Sequence, residues 1–138
     1  MPPDLHEHEG GSHNGENYLA YTFYIENIGE LDTYYYTEII IDDVIRNVDE
    51  AIRLRLFKND EVFTYAKIGK NGKPEPNTIA FESDTLIARS RVSNFKPGDR
   101  DKYTLVLWLE GNDPDCTDNR LGGEIKIHME FLSEVVEK

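Results

Sequence analysis

The sequence predicts an all-β protein, an antiparallel β-sandwich of the immunoglobulin-like or jelly-roll type with about seven to eight strands and at most one short helical turn. Apolar residues alternate with polar ones in several separate stretches, which is the period of a half-buried strand. Aromatic residues are common, with eight tyrosines and six phenylalanines against two methionines, and such side chains suit a pleated surface. Turn sequences separate the stretches, and 138 residues are enough for one domain with its own core.

The N-terminal residues 1–17 are expected to form a flexible acidic arm that contains histidines. They hold three glycines, three histidines and several acids, and Leu5 is their only large aliphatic residue. From residue 18 the pattern changes to period two, which predicts a strand to about Asn27. One face of this strand carries Leu19, Tyr21, Phe23 and Ile25, and the other carries Ala20, Thr22 and Tyr24.

The middle of the chain predicts three further strands. Residues 33–44, TYYYTEIIIDDV, are dense in strand formers. RNVDEA follows, where Asn47 can cap a single helical turn. IRLRLF then alternates strictly, and the Asn59-Asp60 turn joins it to the partner strand EVFTYAKI. The predicted inward residues are Ile52, Leu54 and Leu56, and the predicted outward residues are Arg53 and Arg55.

The C-terminal half predicts three more strands. KNGKPEPNT is a loop, because it contains Asn-Gly and two prolines, and DTLIARSRVSNF alternates after it. FKPGDRDKY makes a turn, and YTLVLWLEG and GEIKIHMEF form the last two strands. Their predicted core residues are Tyr103, Leu105, Leu107 and Leu109, then Ile125, Ile127, Met129 and Phe131. The sandwich domain therefore spans residues 18–133, and residues 134–138 form a short polar tail.

Tyr103 is a candidate for a tyrosine corner. In immunoglobulin-like sandwiches a tyrosine near the start of the sixth strand bonds back across the preceding corner. Pro97-Gly98-Asp99 followed by Tyr103 has the required order. The alternative is a tyrosine that simply packs at a strand start, and both interpretations make Tyr103 structural.

Composition excludes some classes of partner. A net charge of -12 repels nucleic acid and anionic lipid heads, and no run approaches the roughly 18 apolar residues of a spanning helix. Neither nucleic-acid binding nor membrane insertion is therefore expected. The single cysteine cannot close an internal disulfide. The polar start lacks signal-peptide architecture, so the chain is either cytosolic or an exported protein whose leader has been removed.

The connection after Trp108, WLEGNDPDCTDNRLGG, is a candidate calcium site. It offers hard oxygen ligands on a loop held by two strands. The candidate ligands are Glu110, Asn112, Asp113, Asp115, Asp118 and Asn119. The spacing is not that of an EF-hand, and the alternative is a long turn, since Asn, Asp and Pro are common in turns. Cys116 lies among these acids, which raise a thiol pKa and disfavour nucleophilic catalysis.

The arm histidines are a second candidate metal site. His6, His8 and His13 lie beside Glu7 and Glu9, and imidazole with carboxylate suits zinc or copper. However, the His-Glu-x-x-His pattern of a zincin helix is missing, so a metal-dependent hydrolase is only an alternative hypothesis.

Other charged residues predict surface roles. The acid pairs Asp42-Asp43 and Asp99 with Asp101 are expected to be solvated turns rather than catalytic dyads. The alternating arginines of two strands are expected to pair with acids across the sheet, or to form a binding face. These arginines are Arg53, Arg55, Arg89 and Arg91. Nucleotide-binding and hydrolase fingerprints are missing, so we predict a protein that is not an enzyme and needs no cofactor apart from the calcium left open above.

Three segments resemble a known family. FYIEN, IIIDDVIRNVDEAIRLRLFKN and FKPGDRDKYTLVLWLEGNDPDCTDNRLGGEIKIHMEF are similar to small secreted Gram-positive proteins related to the camelysin and TasA group, whose leaders are cut by the SipW type of signal peptidase. The resemblance covers residues 18–132. It implies export, a sandwich fold and a matrix or fibre role, with the chain itself or other matrix and cell-surface proteins as partners.

The leading functional prediction is therefore a secreted, non-enzymatic protein of the cell surface or extracellular matrix that can self-associate into fibres. One physical route to fibres is the addition of a mobile N-terminal segment of one copy to a sheet of the next. Residues 1–17 do not alternate as such a donor strand should, so a donor would have to recruit residues 18–25. The first alternative is a calcium-dependent binding or adhesion module that uses the loop 110–119.

Overall fold

The fold is built almost entirely from β-strands. A computed structural model describes residues 4–15, 18–45, 51–69, 72–109 and 124–135. Within these ranges the chain forms one turn of 3-10 helix, Leu5–Glu7, and nine strands. The strands are β1 Gly11–Ser12, β2 Leu19–Glu26, β3 Thr33–Ile45, β4 Ile52–Lys58, β5 Glu61–Ala66, β6 Ile79–Ala80, β7 Leu86–Phe95, β8 Arg100–Leu109 and β9 Glu124–Val135. The all-β prediction is confirmed, and seven of these strands are the seven that the sequence pattern indicates.

The strands form two sheets that face each other. The larger sheet has the order β1-β2-β8-β4-β5-β6, and the smaller sheet has the order β7-β3-β9. Every pairing is antiparallel except the short parallel contact of β5 with β6. The predicted hairpin is β4 with β5, whose register pairs Lys58 with Glu61 around the turn. The predicted β-sandwich is confirmed.

The sheet order shares two strand pairs with an immunoglobulin domain. There the second strand pairs with the fifth and the third with the sixth; among the seven long strands here, the same pairs are β3 with β7 and β4 with β8. The first and last long strands have exchanged sheets, because β2 lies beside β8 and β9 lies beside β3. The fourth long strand, β5, pairs with β4 instead of with β7. Each sheet therefore contains strands from both halves of the chain.

The main core lies between the two sheets. Strictly alternating residues of β4 point into it, as predicted, and residues of β3 and β7 meet them from the other sheet. Its buried members are Tyr35, Ile39, Ile41, Ile52, Leu54, Leu56, Phe81, Ile87, Phe95 and Tyr103. Partly buried residues of β2, β8 and β9 extend it, including Phe23, Leu105 and Met129. The alternation of apolar side chains in the sequence thus corresponds to one real interior face on each sheet.

A second, smaller apolar cluster lies on the opposite face of the larger sheet. Leu5, only 2% exposed, packs there against Ala20 and Val106. The N-terminal segment, residues 4–15, thus follows a defined course across the sheet, whereas the sequence predicts a flexible arm for residues 1–17. One leucine in a polar segment gives no periodic signal, and its partners lie on strands far along the chain. Residues 1–3, 16 and 17 lie outside the described ranges.

This covered face also changes the expected exposure of β2 and β4. Ala20 and Thr22 are buried beneath the N-terminal segment, while Leu19 and Tyr21 on the other face of β2 are about half exposed. Arg53 was expected to be in water, but it is 6% exposed. The prediction of a solvated Arg53 is therefore wrong, because both faces of the larger sheet are partly covered.

The corner before β8 is held by an asparagine rather than by a tyrosine. The Asn27 side-chain amide donates to the carbonyl oxygens of Leu31 and Phe95, each at 2.9 Å. The Asn27 backbone N–H donates to Asp99 at 2.9 Å, and the Gly98 N–H donates to the Asn27 carbonyl at 2.8 Å. Gly98 has φ +86, a conformation that favours glycine.

The Tyr103 hydroxyl does not close this corner. It lies 2.6 Å from the hydroxyl of Tyr35. The tyrosine-corner prediction is therefore wrong, and the alternative of a packed structural tyrosine is confirmed.

The end of the last strand and the predicted helical turn at Asn47 are the two remaining element predictions. β9 continues to Val135, so the last strand extends beyond the predicted domain end at residue 133 into the predicted polar tail. The predicted helical turn at Asn47 lies outside the described residues.

Candidate functional site

The predicted calcium site lies outside the described residues. All its candidate ligands, Glu110, Asn112, Asp113, Asp115, Asp118 and Asn119, fall within residues 110–123, as does Cys116. The flanking strands are placed: β8 ends at Leu109 in the larger sheet, and β9 begins at Glu124 in the smaller sheet. The predicted site therefore belongs to the connection between the two sheets, and calcium binding there stays a prediction.

The histidines of the N-terminal segment make stacking contacts. The His6 ring stacks on Phe57 with ring centroids 4.7 Å apart, and the His8 ring stacks on His13 at 3.9 Å with an interplanar angle of 7°. The His13 Nε2 lies 2.8 Å from the hydroxyl of Thr22. Within the described ranges, no three or more His, Cys, Asp or Glu side chains are grouped as a metal site would require. The three rings therefore pack the segment against the sheet rather than converge on one point.

The environment of His13 disfavours its charged form. Burial lowers its pKa, and the nearby His8 and Lys102 lower it further. The Thr22 hydroxyl beneath it lies 2.8 Å from that of Thr104, so a polar chain runs from the N-terminal segment through β2 to β8. A neutral His13 fits this arrangement, because burial and the nearby Lys102 both disfavour a positive charge on its ring.

The paired acids are used separately rather than as dyads. Asp42 Oδ2 lies 2.5 Å from His128 Nδ1, and Glu130 Oε1 lies 3.0 Å from His128 Nε2. These two hydrogen bonds raise the pKa of His128 above its ordinary value. Asp43 accepts the Val44 N–H instead. In this pair the two carboxylates thus have different partners.

The second acid pair is divided in the same way. Asp99 accepts the Lys96 N–H at 2.8 Å. Asp101 accepts hydrogen bonds from the Asn59 side chain, at 2.9 Å, and from the Tyr35 hydroxyl. Both carboxylates therefore brace turns and strand ends.

The arginines divide between an acid and aromatic rings. Arg89 Nη2 lies 3.2 Å from Glu38 Oε2, which confirms the predicted cross-strand ion pair there. Arg91 lies over the Tyr34 ring, with its guanidinium carbon 4.7 Å from the centroid, and Arg55 lies over Trp108 at 5.0 Å. For these two, stacking replaces the expected ion pair, because aromatic rings lie on the same face of the neighbouring strands.

The strand edges of the two sheets differ in length and chemistry. The larger sheet ends in the two-residue strands β1 and β6, whereas the smaller sheet ends in the long strands β7 and β9. β7 exposes Arg89 and Arg91, and charged side chains are a common protection of a sheet edge. Among the described residues, no strand pairs with the outer edge of β9. β9 also exposes charged side chains, at Lys126, Glu130 and Glu134, but it combines them with large exposed apolar ones.

The C-terminal part of β9 is rich in exposed apolar side chains. Phe131 is 42%, Leu132 is 60% and Val135 is 49% exposed. Phe131 also contacts the interior, since its ring lies 5.5 Å from Phe23 and 6.3 Å from Tyr103, centroid to centroid. Long apolar sheet edges bind further strands, because their N–H and C=O groups and apolar side chains are all available. We define this feature, the unpaired side of Glu124–Val135, as the β9 edge.

An apolar crevice lies beside the β9 edge, where the side of the sandwich is open between β2 and β9. Its volume is about 250 Å³. Leu105 and Leu107 line it from the larger sheet, and Ile127 and Met129 line it from the smaller sheet. The exposed Leu19 and Tyr21 stand at its rim. The crevice extends the exposed apolar surface inward from the edge.

Comparison with known proteins identifies no relative. No known family, no curated protein and no solved structure matches this chain. Within the described ranges, no helix is both long and apolar enough to span a bilayer. The candidate site therefore rests on the geometry of the chain alone.

Sequence reasoning missed the β9 edge for a physical reason. Alternation identifies a strand, but it does not say which strand lies at the side of a sheet, because that depends on pairings between distant residues. One local signal was present. The run FLSEV breaks the alternation after Phe131, because it puts the apolar Leu132 on the outer face and the polar Ser133 on the inner face.

Proposed function

We propose that this chain is a non-enzymatic β-sandwich protein of the cell surface or extracellular matrix that self-associates through the edge of its smaller sheet as one step in fibre formation. The observation that carries the proposal is the β9 edge, a twelve-residue strand whose far end exposes Phe131, Leu132 and Val135. Export and the matrix setting rest on the resemblance to the camelysin and TasA group.

The physical basis is strand addition. A strand that joins a sheet edge gains main-chain hydrogen bonds along its length, and alternate side chains bury against the neighbouring surface. On the β9 edge both contributions are available together, and the crevice beside it supplies more apolar surface. The partner is therefore an extended protein segment, which fits another copy of the chain or another matrix protein.

The assembly does not require β2 to leave its own sheet. Residues 18–25 were the only donor that the sequence offered, but β2 pairs with β8 through eight successive residues. It also holds Ala20 and Thr22 in the covered face. Withdrawal of β2 would expose both apolar clusters, so pairing at the β9 edge is the less costly route to self-association.

The test is the association state of the purified chain. Sedimentation velocity over a wide range of concentration, with electron microscopy of concentrated samples, should show oligomers that grow with concentration. A chain that stays monomeric over the whole range of concentration and pH, and does not associate with cell surfaces, would contradict the proposal.

The second candidate is a calcium-dependent binding or adhesion module. It is favoured by the number of carboxylate and amide oxygens in residues 110–119, in the connection between the two sheets. This function would make adhesion depend on millimolar calcium, whereas self-association through the β9 edge would not.

A further inference from the structure

The two faces of β9 differ in chemistry. Pairing with β3 places Met129 opposite Ile39 and Phe131 opposite Thr37, with their side chains toward the main core. The alternate residues face the outside of the smaller sheet. This outer row is Lys126, His128, Glu130, Leu132 and Glu134. Any strand added to the β9 edge must match both rows, since residues directly opposite in an antiparallel pair lie on the same face.

A second copy of β9 satisfies this requirement in antiparallel orientation. Because inner residues must face inner residues, a two-fold axis passes through one residue of the strand, and only a few registers exist. An axis at Glu130 places that carboxylate opposite itself. An axis at Leu132 places Glu130 opposite Glu134 twice. Like charges directly opposite destabilise a sheet, so both registers are disfavoured.

The register centred on Phe131 avoids both conflicts. It places His128 opposite Glu134 and Glu130 opposite Leu132, each twice by symmetry. An axis farther toward the start of the strand, at Met129, leaves Val135 beyond the paired stretch. An axis at Ser133 leaves the first half of β9 unpaired. The Phe131 register is therefore selected, because among these registers it alone pairs residues 127–135, covers Phe131, Leu132 and Val135 together, and places no like charges directly opposite each other.

The inner row, which consists of the β9 side chains that face the main core, is also compatible with this register. Phe131 faces Phe131 of the second copy, Met129 faces Ser133, and Ile127 faces Val135. Aromatic side chains directly opposite each other stabilise antiparallel pairs. The large apolar residues that β9 exposes become covered, because Phe131, Leu132 and Val135 all lie within the paired stretch.

From these relations we propose that two copies of the chain pair antiparallel along β9 with Phe131 at the two-fold axis. The smaller sheets then join into one continuous sheet of order β7-β3-β9-β9-β3-β7. This inference rests on the proposed function and specifies its first assembly step, a dimer that uses both β9 edges, so that a fibre must grow through other contacts between dimers. The occupant of the β9 edge is a second copy, and its contacts are isologous.

Leu132 provides the test of the register. In the proposed pair it lies opposite Glu130 of the second copy, so Leu132→Lys creates two Lys–Glu pairs and Leu132→Glu creates two Glu–Glu pairs. Sedimentation equilibrium should show the dimer of the Glu variant weaker than that of the Lys variant by about tenfold at low salt. The difference should shrink at high salt, because these pairs are exposed.

Other registers predict a different order of dimer affinity for the two variants. With the axis at Glu130, Leu132 would face His128, and the Glu variant would dimerise more tightly than the Lys variant. With the axis at Leu132, both variants would be weakened alike. Either result would overturn the proposed register.

Two controls separate the interface from the fold. Leu132 also lies two residues from Glu130 and Glu134 of its own chain, so a new charge there can change the stability of the monomer itself. The thermal midpoint of each variant is therefore measured at a concentration where the wild-type chain is monomeric. The same two substitutions at Val62, which is 54% exposed on β5 of the larger sheet, should leave association unchanged.

The outcomes also distinguish the two proposals. If the wild-type chain associates but both Leu132 variants associate as it does, the β9 pairing is overturned while self-association stands. If a peptide or another protein binds the β9 edge but the chain alone does not dimerise, the second-copy occupant is overturned. If the wild-type chain never associates, the proposed function itself fails.

Discussion

The hydroxyl groups of Tyr35 and Tyr103 lie 2.6 Å apart in the interior and connect the two sheets. Tyr35 belongs to β3 of the smaller sheet, and Tyr103 belongs to β8 of the larger sheet. The Tyr35 hydroxyl also donates to the carboxylate of Asp101. Tyr35 has one hydroxyl proton and donates it to Asp101, so Tyr103 must be the donor to Tyr35. The hydrogen bonds therefore run from Tyr103 to Tyr35 to Asp101.

This order predicts unequal effects of two matched substitutions. Tyr35→Phe leaves the buried Tyr103 hydroxyl without its acceptor, whereas Tyr103→Phe leaves Tyr35 still bonded to Asp101. We expect Tyr35→Phe to lower the free energy of unfolding by about 1–3 kcal/mol and Tyr103→Phe by about 1 kcal/mol. Urea denaturation of both variants measures the difference. Equal losses would mean that the hydroxyls do not act in this order.

The same pair predicts a loss of stability at alkaline pH. Burial raises the pKa of Tyr103 to about 12, and burial with the bond to Asp101 raises that of Tyr35 further, from an ordinary value of 10.0. In the unfolded chain both groups ionise near 10, so the folded state is favoured fully below that pH. Stability should fall as pH rises from about 10 toward 12. Tyrosinate absorbance should then show a cooperative step that coincides with unfolding by circular dichroism.

The packed N-terminal segment predicts a cost for truncating its single leucine. Leu5 is 2% exposed against Ala20 and Val106, so Leu5→Ala should lower the free energy of unfolding by about 2–4 kcal/mol. Trp108 lies in the same cluster, and its fluorescence should report the change. Ile28→Ala at an exposed position is the control and should have little effect. An unchanged stability for Leu5→Ala would support the flexible arm that the sequence predicts.

His128 between two carboxylates predicts a raised imidazole pKa. The bond to Asp42 is the largest cause and the bond to Glu130 the second, so NMR titration should give a value above the ordinary 6.5. The charged form is favoured by folding, so this contribution is complete below pH 6.5 and is lost as pH rises through the folded pKa. Asp42→Asn should lower the pKa of His128. Asp43→Asn, whose carboxylate bonds the Val44 N–H instead, should lower it less.

The loop between β8 and β9 gives the remaining prediction. If residues 110–119 hold calcium, isothermal titration at millimolar calcium should release or absorb heat, and Asp113→Asn with Asp115→Asn should abolish it. Asp84→Asn, an exposed acid on a different loop, serves as the control for nonspecific charge. A flat titration of the wild-type chain would remove the adhesion alternative.

The sequence predicted the long strands because each carries its own signal. Alternation in β4 and aromatic density in β3 are local properties, and the faces of β2 and β4 follow from them. The two-residue strands β1 and β6 were missed, since Gly11–Ser12 and Ile79–Ala80 have no period to detect. They exist only because a partner strand lies beside them.

The features that position the candidate site were beyond sequence reasoning for a related reason. The edge location of β9, the burial of Arg53 and the contact of Leu5 with Val106 all depend on pairings between distant parts of the chain. Tyr103 illustrates what a sequence pattern can and cannot predict. Its structural role was predicted correctly, but its hydroxyl partner, Tyr35, belongs to the opposite sheet.

The exchange of the first and last long strands between sheets sets the order in which the molecule can fold. The β4–β5 hairpin is local and can form early, whereas β2 pairs residue 19 with residue 107 and β3 pairs residue 33 with residue 135. Closing such distant loops is slow, because their entropy is lost before the contacts form. A growing polypeptide therefore cannot complete the larger sheet before β8 has been synthesised, or the smaller sheet before β9 has been.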